Sequence, residues 1–494
     1  MHLYRSFSIL DLTLQFTYKS DFMFIDSHAH LFFKDFQNDL DDILIRAKDA
    51  GVDYIVCPGI DLLTSIQSVG LAEKYDMVYA SVGFHPHDAS KADVKSLAEI
   101  EQLSQHPKVV AIGEIGLDYH YNFSPPDKQS EIFSAQIDIA QRRNLPIVVH
   151  SREAEDDTIR IIENKLKNGK LWRNNLVHEY DRYPPPKGVF HCFPGDSKMA
   201  WKLIEMGFYV SLTGPVTYGS KPNKPNTMEE VAAKVSAEHI LLETDSPYLP
   251  PVPYRGKRNE PAFVKYIAQK IADLQRLSIE DIGRASSFGV HKLFGIGKYP
   301  ESTIAYKIRN SLYLNITLRC NADCVFCDRK GEAIVKGNNL RITEEPNVDE
   351  IIRTIGNPKQ YEEIVFCGFG EPTIRLDVLK ETAQQIKDLG GKVRLNTDGH
   401  GNIINHRNIV PELVGLVDSI SISLNSIDVE QYGKLMRIDG KKFFSAMIEF
   451  AKECVAYKFD VTMTIVELSE VDEAKARAFV ENEIGAKFRN RPLF

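Results

Sequence analysis

Phe24-Ile25-Asp26-Ser27-His28-Ala29-His30 is an apolar run that ends in one carboxylate and two histidines. It belongs to a first run at 22–28, and similar runs recur at 53–59, 78–84, 109–114, 146–150, 188–192, 208–212 and 239–245. Each is short and mostly apolar, as a strand buried on both faces of a parallel sheet must be. The segments between them, such as 39–50 and 127–143, carry helical patterning. Eight strand–helix repeats in about 275 residues predict a (β/α)8 barrel, with its reactive groups at the C-terminal strand ends.

The run ends meet that expectation. The third closes on Gly83-Phe84-His85-Pro86-His87, the fourth on Gly113-Glu114-Ile115-Gly116-Leu117-Asp118, and the fifth on His150-Ser151-Arg152. The sixth closes on His191-Cys192-Phe193 and the eighth on Thr244-Asp245-Ser246-Pro247. His28 and His30 are two apart, so an extended chain projects both to one side. A lone histidine at a strand end is ordinarily a hydrogen-bonded structural residue. Metal-competent residues at six matching ends are not independent accidents. Imidazoles and carboxylates on one rim suit Zn, Mn, Fe or Mg. Such a set can hold two ions about 4 Å apart, able to clamp a phosphate or carbonyl oxygen.

These motifs, taken in order over about 23–296 together with Arg255-Gly256-Lys257-Arg258-Asn259-Glu260-Pro261, resemble the TatD family. The resemblance implies a TIM barrel of the amidohydrolase type and a metal-dependent hydrolase, with several members acting as deoxyribonucleases. It implies metal ligation by His28, His30, Glu114, His150, His191 and Asp245, with Glu114 bridging two divalent ions (Mg, Mn or Zn). Asp245 would orient or deprotonate the attacking water, and His85 would lie near the scissile phosphate. Arg255, Lys257 and Arg258 are the candidates for substrate phosphates. A DNA end or single-stranded DNA is the implied partner. The stretch 164–188 is longer than the family's usual link and mixes Lys165, Lys167, Lys170 and Arg173 with Trp172, Tyr180 and Tyr183. It reads as a solvated surface insertion, with stacking of single-stranded bases as the alternative.

Composition limits the remaining possibilities. The 494 residues carry 60 Lys+Arg against 68 Asp+Glu, a net charge of -8, which argues against a protein that wraps long duplex DNA. No run of about 18 apolar residues is present, so no membrane span and a cytoplasmic location are expected. Residues 1–22 place Asp11 in their apolar stretch and lack a small-residue cleavage site. They read as an N-terminal extension, with Met23 as an alternative start. Seven cysteines are too few for a disulfide framework, and five of them follow residue 300, whereas twelve of the 14 histidines precede it. Two chemistries in two halves is the natural reading.

The second half begins past Leu293-Phe294-Gly295, where glycine ends a helix and Pro300 follows. The expected division is a hydrolase domain over 23–296, a linker over 297–305 and a second domain over 306–494. Strands are expected at 311–319, 363–367, 392–396, 418–424, 460–466 and near 486–490, with helices at 348–356, 375–389 and 442–457. Five or six units are too few to close an eightfold barrel, so a partial (β/α)6 barrel is predicted. Its first strand leads into Cys320-Asn321-Ala322-Asp323-Cys324-Val325-Phe326-Cys327, three thiols spaced so that one loop can supply three corners of an iron–sulfur cube. A structural zinc site would prefer four ligands, and Cys367 lies far along the chain.

Cys367-Gly368-Phe369-Gly370-Glu371-Pro372, Leu395-Asn396-Thr397-Asp398-Gly399 and Ser421-Ile422-Ser423-Leu424-Asn425 follow or cover the next strands. With the cysteine loop they resemble the radical S-adenosylmethionine superfamily. The resemblance implies a [4Fe–4S] cluster on Cys320, Cys324 and Cys327, with the aromatic Phe326 beside it and a fourth iron left open for S-adenosyl-L-methionine. Glu371 would receive the methionine amino group, and Gly370 beside it is a further cofactor-binding candidate. Asn396, Asp398, Ser423 and Asn425 are candidates for ribose or carboxylate contacts. A reductant such as flavodoxin or ferredoxin would supply the electron. The order of the halves resembles the fusion described as a TatD-associated radical SAM protein. The expected function is bifunctional: a metal-dependent deoxyribonuclease joined to a radical enzyme of unknown substrate. The alternatives are amide or ester hydrolysis by the barrel, or a scaffold with vestigial sites.

Overall fold

The computed structural model describes residues 24–121, 123–168, 172, 184–220, 225–468 and 470–491. The expected extension over 1–22 lies outside these residues, as does most of the stretch 164–188. Trp172 of that stretch departs from the expected solvated insertion. It is buried and its indole N–H donates to the Leu145 carbonyl at 3.0 Å, so it serves the core.

Eight strands form one parallel sheet in sequence order: β1 (Phe24–Asp26), β2 (Val52–Pro58), β3 (Val78–Val82), β4 (Val109–Asp118), β5 (Ile147–Arg152), β6 (Gly188–Phe190), β7 (Phe208–Leu212) and β8 (Ile240–Leu242). The seam between β8 and β1 closes through backbone bonds, Ser27 N–H to Leu242 O at 3.0 Å and Asp245 N–H to His28 O at 2.9 Å. Helices α1 (Leu40–Asp49), α2 (Leu62–Lys74), α3 (Val94–Leu103), α4 (Pro126–Arg143), α5 (Glu155–Asn168), α6 (Ser197–Glu205), α7 (Thr227–Lys234), α8 (Val264–Gln275) and α9 (Ile279–Phe294) accompany the strands. Alternate strand residues, among them Ile25, Val56, Val148, Val189 and Leu241, form an inner apolar cluster with Val290, Leu293 and Phe294 of α9. Helix α9 ends at Gly295 with φ 72°, a left-handed cap that glycine adopts without steric penalty. Gly116, inside β4, has φ 150°, and a Cβ there would lie 1.9 Å from the His150 carbonyl oxygen. Only glycine lets β4 and β5 approach at the level of the site.

The second half is an open sheet in the order β17-β16-β15-β14-β13-β10-β9. Six strands are parallel: β10 (Ser311–Leu314), β13 (Ile364–Phe366), β14 (Val393–Thr397), β15 (Ser419–Ser423), β16 (Asp460–Val466) and β17 (Lys487–Arg491). These are the strands of the expected partial barrel. Strand β9 (Ala305–Ile308) pairs antiparallel with β10. Sequence reading places no strand there, because Ala305–Ile308 carries Lys307 and forms no continuous apolar run. Strand β10 also stops earlier than expected: Asn315 turns away, its side-chain amide donating to Leu340 O at 2.7 Å. The small hairpin β11 (Ile334–Val335) and β12 (Asn338–Asn339) was likewise invisible to periodicity. Helices α10 (Val348–Ile355), α11 (Leu376–Asp388), α12 (Gly401–Ile404), α13 (Val429–Met436), α14 (Gly440–Ala456) and α15 (Glu473–Phe479) complete this half. Among the described residues no helix is long and apolar enough to cross a membrane.

The β11–β12 hairpin joins the halves. The Lys336 backbone N–H donates to Glu238 Oε1 at 2.9 Å, and its ammonium lies 2.7 Å from Oε2. The Arg284 guanidinium donates to Lys336 O at 3.0 Å and Lys307 O at 3.1 Å, while Asp281 accepts from the Arg309 N–H at 2.9 Å. Glu238 precedes β8, so this contact sits at the N-terminal end of the strands, opposite the metal-competent rim. Burial alone would raise the Glu238 carboxyl, but Lys336 and the Ser236 hydroxyl bring it down to about 2. A depressed carboxyl stabilises the fold above its unfolded pKa and loses that effect as pH falls through the folded value. Glu238→Gln is therefore expected to destabilise the chain at pH 7 by on the order of 3 kcal/mol. In urea titrations its deficit against the native chain should shrink as pH falls from about 4.5 towards 2; a pH-independent deficit would count against the ion pair as the cause.

Candidate metal centre and cluster loop

Burial of Asp26 organises the barrel rim. Its carboxylate accepts from Thr244 Oγ1 at 2.5 Å, Thr244 N–H at 2.9 Å and His28 N–H at 3.3 Å, which ties β1 to the segment after β8. Burial pushes this carboxyl up to about 8 against those bonds. Asp245 follows with φ 55°, a conformation that costs a non-glycine residue about 1 kcal/mol or more and aims its side chain at His28 and His30. Asp245 Oδ1 lies 3.3 Å from His30 Nε2 and 3.8 Å from His28 Nε2.

Glu114 occupies the centre. Its Oε2 lies 3.4 Å from His28 Nε2 and 3.9 Å from His30 Nε2. Its Oε1 lies 2.9 Å from His150 Nδ1, 3.5 Å from His85 Nε2 and 3.7 Å from His191 Nε2. Three triads have ligand atoms mutually within 4.8 Å: His28 with His30 and Glu114, His28 with His191 and Asp245, and His85 with Glu114 and His150. His85, expected at the phosphate, thus stands within the ligand cluster itself. Burial alone would raise the Glu114 carboxyl, but His85, His191, His150 and His28 together hold it well below the usual carboxylate range. Burial likewise opposes ionisation of Asp245, and His30 with His191 outweighs it. Burial keeps His85 well below the ordinary imidazole value.

Three carboxylates support these groups without belonging to the expected ligand set. Asp118 Oδ2 lies 2.9 Å from His87 Nε2 and 3.1 Å from His150 Nε2, and its Oδ1 accepts from the His120 and Tyr121 N–H groups. Glu243 Oε1 lies 3.0 Å from His191 Nδ1 and accepts from Cys192 N–H at 2.6 Å. Asp26 is the third. Their signal in the sequence was an acid inside an otherwise apolar run, next to a candidate ligand.

Aromatic side chains flank the rim on two sides. Tyr121 and Phe123 stack at 5.5 Å, are 42% and 68% exposed, and contact His87; Arg152 lies over Tyr121 at 4.9 Å. Opposite them, Phe33 lies 5.2 Å from His30 and 5.6 Å from the exposed Tyr248. None of these aromatics was singled out from sequence. Of the expected phosphate-binding cations, Arg255 lies over Tyr218 at 4.5 Å and Lys257 over Tyr254 at 5.8 Å. Arg258 is committed elsewhere: it binds both Asp39 oxygens at 2.9 and 2.6 Å and the Asp35 carbonyl.

In the second half, Cys320, Cys324 and Cys327 lie on the loop after β10, each partly exposed. Asp323 N–H and Val325 N–H donate to Met436 O and Leu435 O at 3.0 and 2.9 Å, which fastens the loop to α13. Phe326 packs against the domain core. Burial, with Cys327 nearby, pushes the Cys324 thiol up to about 12. The three sulfurs do not converge within 4.8 Å as the barrel's ligand atoms do. A cube spreads its thiolates over separate corners, so it needs no such convergence. Gly370 lets the next turn reach the loop; a Cβ there would lie 2.1 Å from Thr317 O. Glu371 is buried and accepts from Thr373 N–H, Thr373 Oγ1, Thr397 Oγ1 and Asp398 N–H at 2.6 to 2.9 Å. Burial and the neighbouring Asp398 still push its carboxyl up to about 8.

Residues 25–295, more than half of the chain, match the family described as TatD related DNase. The chain belongs to the TatD-related DNase family. Residues 314–481 match the radical SAM superfamily, so the TatD domain shares its chain with a radical SAM domain. An uncharacterized metal-dependent hydrolase of Bacillus subtilis, YabD, is 39% identical over 274 residues, covering 56% of this chain and 100% of the relative. The protein named 3′-5′ ssDNA/RNA exonuclease TatD of Escherichia coli K12 is 33% identical over 275 residues, covering 55% of this chain and 98% of the relative. The crystal structure of YJJV, a TatD homolog from the same organism, is 29% identical with a TM-score of 0.49, covering 56% of this chain and 98% of its own. The TatD domain is a metal-dependent hydrolase and the chain an enzyme, which removes the scaffold alternative.

The residues present fit the groups that both families carry. At the TatD rim, His28 Nε2 and His30 Nε2 approach within 3.2 Å, and His28 Nδ1 and His30 Nδ1 are buried without a hydrogen-bond partner. Nitrogen and carboxylate oxygen atoms gathered this closely suit a divalent ion. Around the cluster loop, three buried acceptors lack a donor, Asn321 Oδ1, Asn396 Oδ1 and Asn425 Oδ1, while Asp398 Oδ2 lies 3.2 Å from His400 Nδ1. Such acceptors suit a ligand rich in N–H and O–H groups. Ser423 faces Thr464 on the adjacent strand, on the same side of the sheet as Asn396. Asn321 was not among the expected contacts.

Proposed function

We propose that the barrel cleaves DNA phosphodiesters with two divalent ions, and that the second domain generates a radical from S-adenosyl-L-methionine at a cluster on Cys320, Cys324 and Cys327. The observation that carries the first part is the placement of Glu114, one oxygen toward His28 and His30 and the other toward His150 and His191. A carboxylate so placed can bridge two ions. His28, His30 and Asp245 would complete one site, His150 and His191 the other. Bound ions supply Lewis acidity and charge neutralisation at a phosphoryl group. Asp245, held in its ionised form by two imidazoles, accepts a proton from the attacking water. His85, neutral and beside Glu114, can hydrogen-bond a phosphate oxygen.

The flanking aromatics favour single-stranded nucleic acid. Tyr121 and Phe123 on one side, and Phe33 and Tyr248 on the other, offer faces on which unpaired bases stack. Arg255 and Lys257 remain for phosphates; Arg258 holds the loop. Phe123→Ala is expected to raise KM for single-stranded DNA about tenfold, from loss of one stacking contact, with kcat little changed. Steady-state kinetics on a short oligonucleotide checks this, and an unchanged KM would remove Phe123 from the substrate path.

In the second domain Cys320, Cys324 and Cys327 would hold a cluster, which would supply the electron for reductive cleavage of the sulfonium. Glu371 and Asp398 set two carboxylates close together in a buried site, and an ammonium relieves that repulsion. This pair is the natural seat of the methionine amino group. Asn321, Asn396, Ser423 and Asn425 orient the rest of the cofactor. The test is anaerobic reconstitution of the full chain, with and without chelator, against single-stranded DNA, duplex DNA, RNA and acyl substrates. DNA cleavage that chelation abolishes and Mn or Mg restores is the expected outcome. Cleavage of amide or ester substrates alone would overturn the nuclease reading, and absence of 5′-deoxyadenosine would overturn the radical one.

A further inference from the structure

The inner face of the half-barrel carries an unusual charge. Along β14 and β15, Leu395, Ile420 and Ile422 join the apolar layer under the helices, so the alternating Arg394, Asn396, Ser421 and Ser423 face the lumen. On β17, Phe488 packs against that layer and Arg489 and Arg491 take the other face, Arg489 opposite Thr464 of β16. Tyr313 of β10 completes the wall. Arg394 has one carboxylate, Glu363 at 3.1 Å, and donates to the Tyr313 hydroxyl at 3.1 Å. Among the described residues no carboxylate pairs with Arg489 or Arg491. The Nε atoms of Arg394 and Arg491 are buried without an acceptor.

We propose that this lumen is an oxyanion site that receives the carboxylate or phosphate end of the radical domain's substrate. Three guanidiniums against one carboxylate leave a local excess of positive charge in a chain whose net charge is -8. Arg489 is exposed, but a buried N–H without an acceptor is unfavourable, and among the described residues nothing accepts from the Nε atoms of Arg394 and Arg491. Guanidinium groups match carboxylate and phosphate with paired hydrogen bonds. Burial and the neighbouring Arg489 push Arg491 below its ordinary value, against the opposing influence of Cys367 and Cys324. Arg491 pairs with Val466, the last residue of β16, so the column ends at the C-terminal strand ends, where the cluster loop also lies. A substrate anchored by its anion in the lumen would present its other end where a radical from S-adenosyl-L-methionine forms. The inference rests on the radical reading of this domain.

The test is hydrogen–deuterium exchange on the reconstituted full chain, with inorganic phosphate or succinate as probes and chloride of equal ionic strength as reference. At least one probe should slow exchange about threefold or more in the segments 393–397 and 487–491. The arm that succeeds distinguishes phosphate from carboxylate. Arg491→Gln should remove the slowing and Arg491→Lys retain part of it; the wild-type footprint stands by itself if the Gln variant does not fold. No slowing with either probe overturns the proposal. So does protection by S-adenosyl-L-methionine alone with nothing added by the probes, because the cations would then serve the cofactor. Formation of 5′-deoxyadenosine by the same samples reports on the radical reading separately.

Discussion

Glu114→Gln is expected to reduce hydrolysis by on the order of 10³-fold or more in kcat/KM, about 4 kcal/mol of transition-state stabilisation. The amide keeps the volume of the carboxylate but loses its charge and one of its two acceptor oxygens. Both are used: one oxygen faces His28 and His30, the other faces His85, His150 and His191. An amide cannot bridge two cations on equal terms. Metal content should fall below that of the native chain by elemental analysis, while 5′-deoxyadenosine formation stays unchanged. Hydrolysis within tenfold of wild type would show that Glu114 is a neighbour of the centre and no bridge.

Cys324→Ser is expected to do the reverse. A hydroxyl is a poor iron ligand where a thiolate is needed. The variant should lose the cluster's visible absorption and reduce 5′-deoxyadenosine formation by on the order of 10³-fold. The loop should keep its shape, because Asp323 and Val325 anchor it to α13 through backbone bonds that the substitution leaves alone. Hydrolysis should persist unchanged. The metal centre follows the C-terminal ends of the barrel strands, whereas the halves meet near Glu238, at the opposite end. Loss of both activities in either variant would contradict two independent sites.

Much of the architecture could be read from periodicity. Runs of buried strand length recurred eight times, and the chain forms eight strands at those places. The carboxylate and imidazole ends of the runs meet at one rim because parallel strands put all their C-terminal ends on the same side. Three strands escaped: β9, β11 and β12 are short and, unlike the equally short β1, β6, β8 and β13, lie in no longer apolar run. The supporting acids Asp26, Asp118 and Glu243 stood within the motifs, but only burial and distance separate them from ligands. Trp172 looked like a surface residue among lysines and is part of the core.

Residue order by itself determined the two barrels, the rim on which imidazoles and acids gather, and the loop that carries three thiols. These follow from local chemistry: strand period, glycine and proline punctuation, and the spacing of ligand types. Tertiary structure decided which oxygen of Glu114 faces which histidine, that Arg258 is spent on Asp39, that aromatics flank the metal centre, and that three arginines share one lumen. Those facts depend on side chains far apart in the chain coming within a few ångströms, and no local pattern encodes that distance.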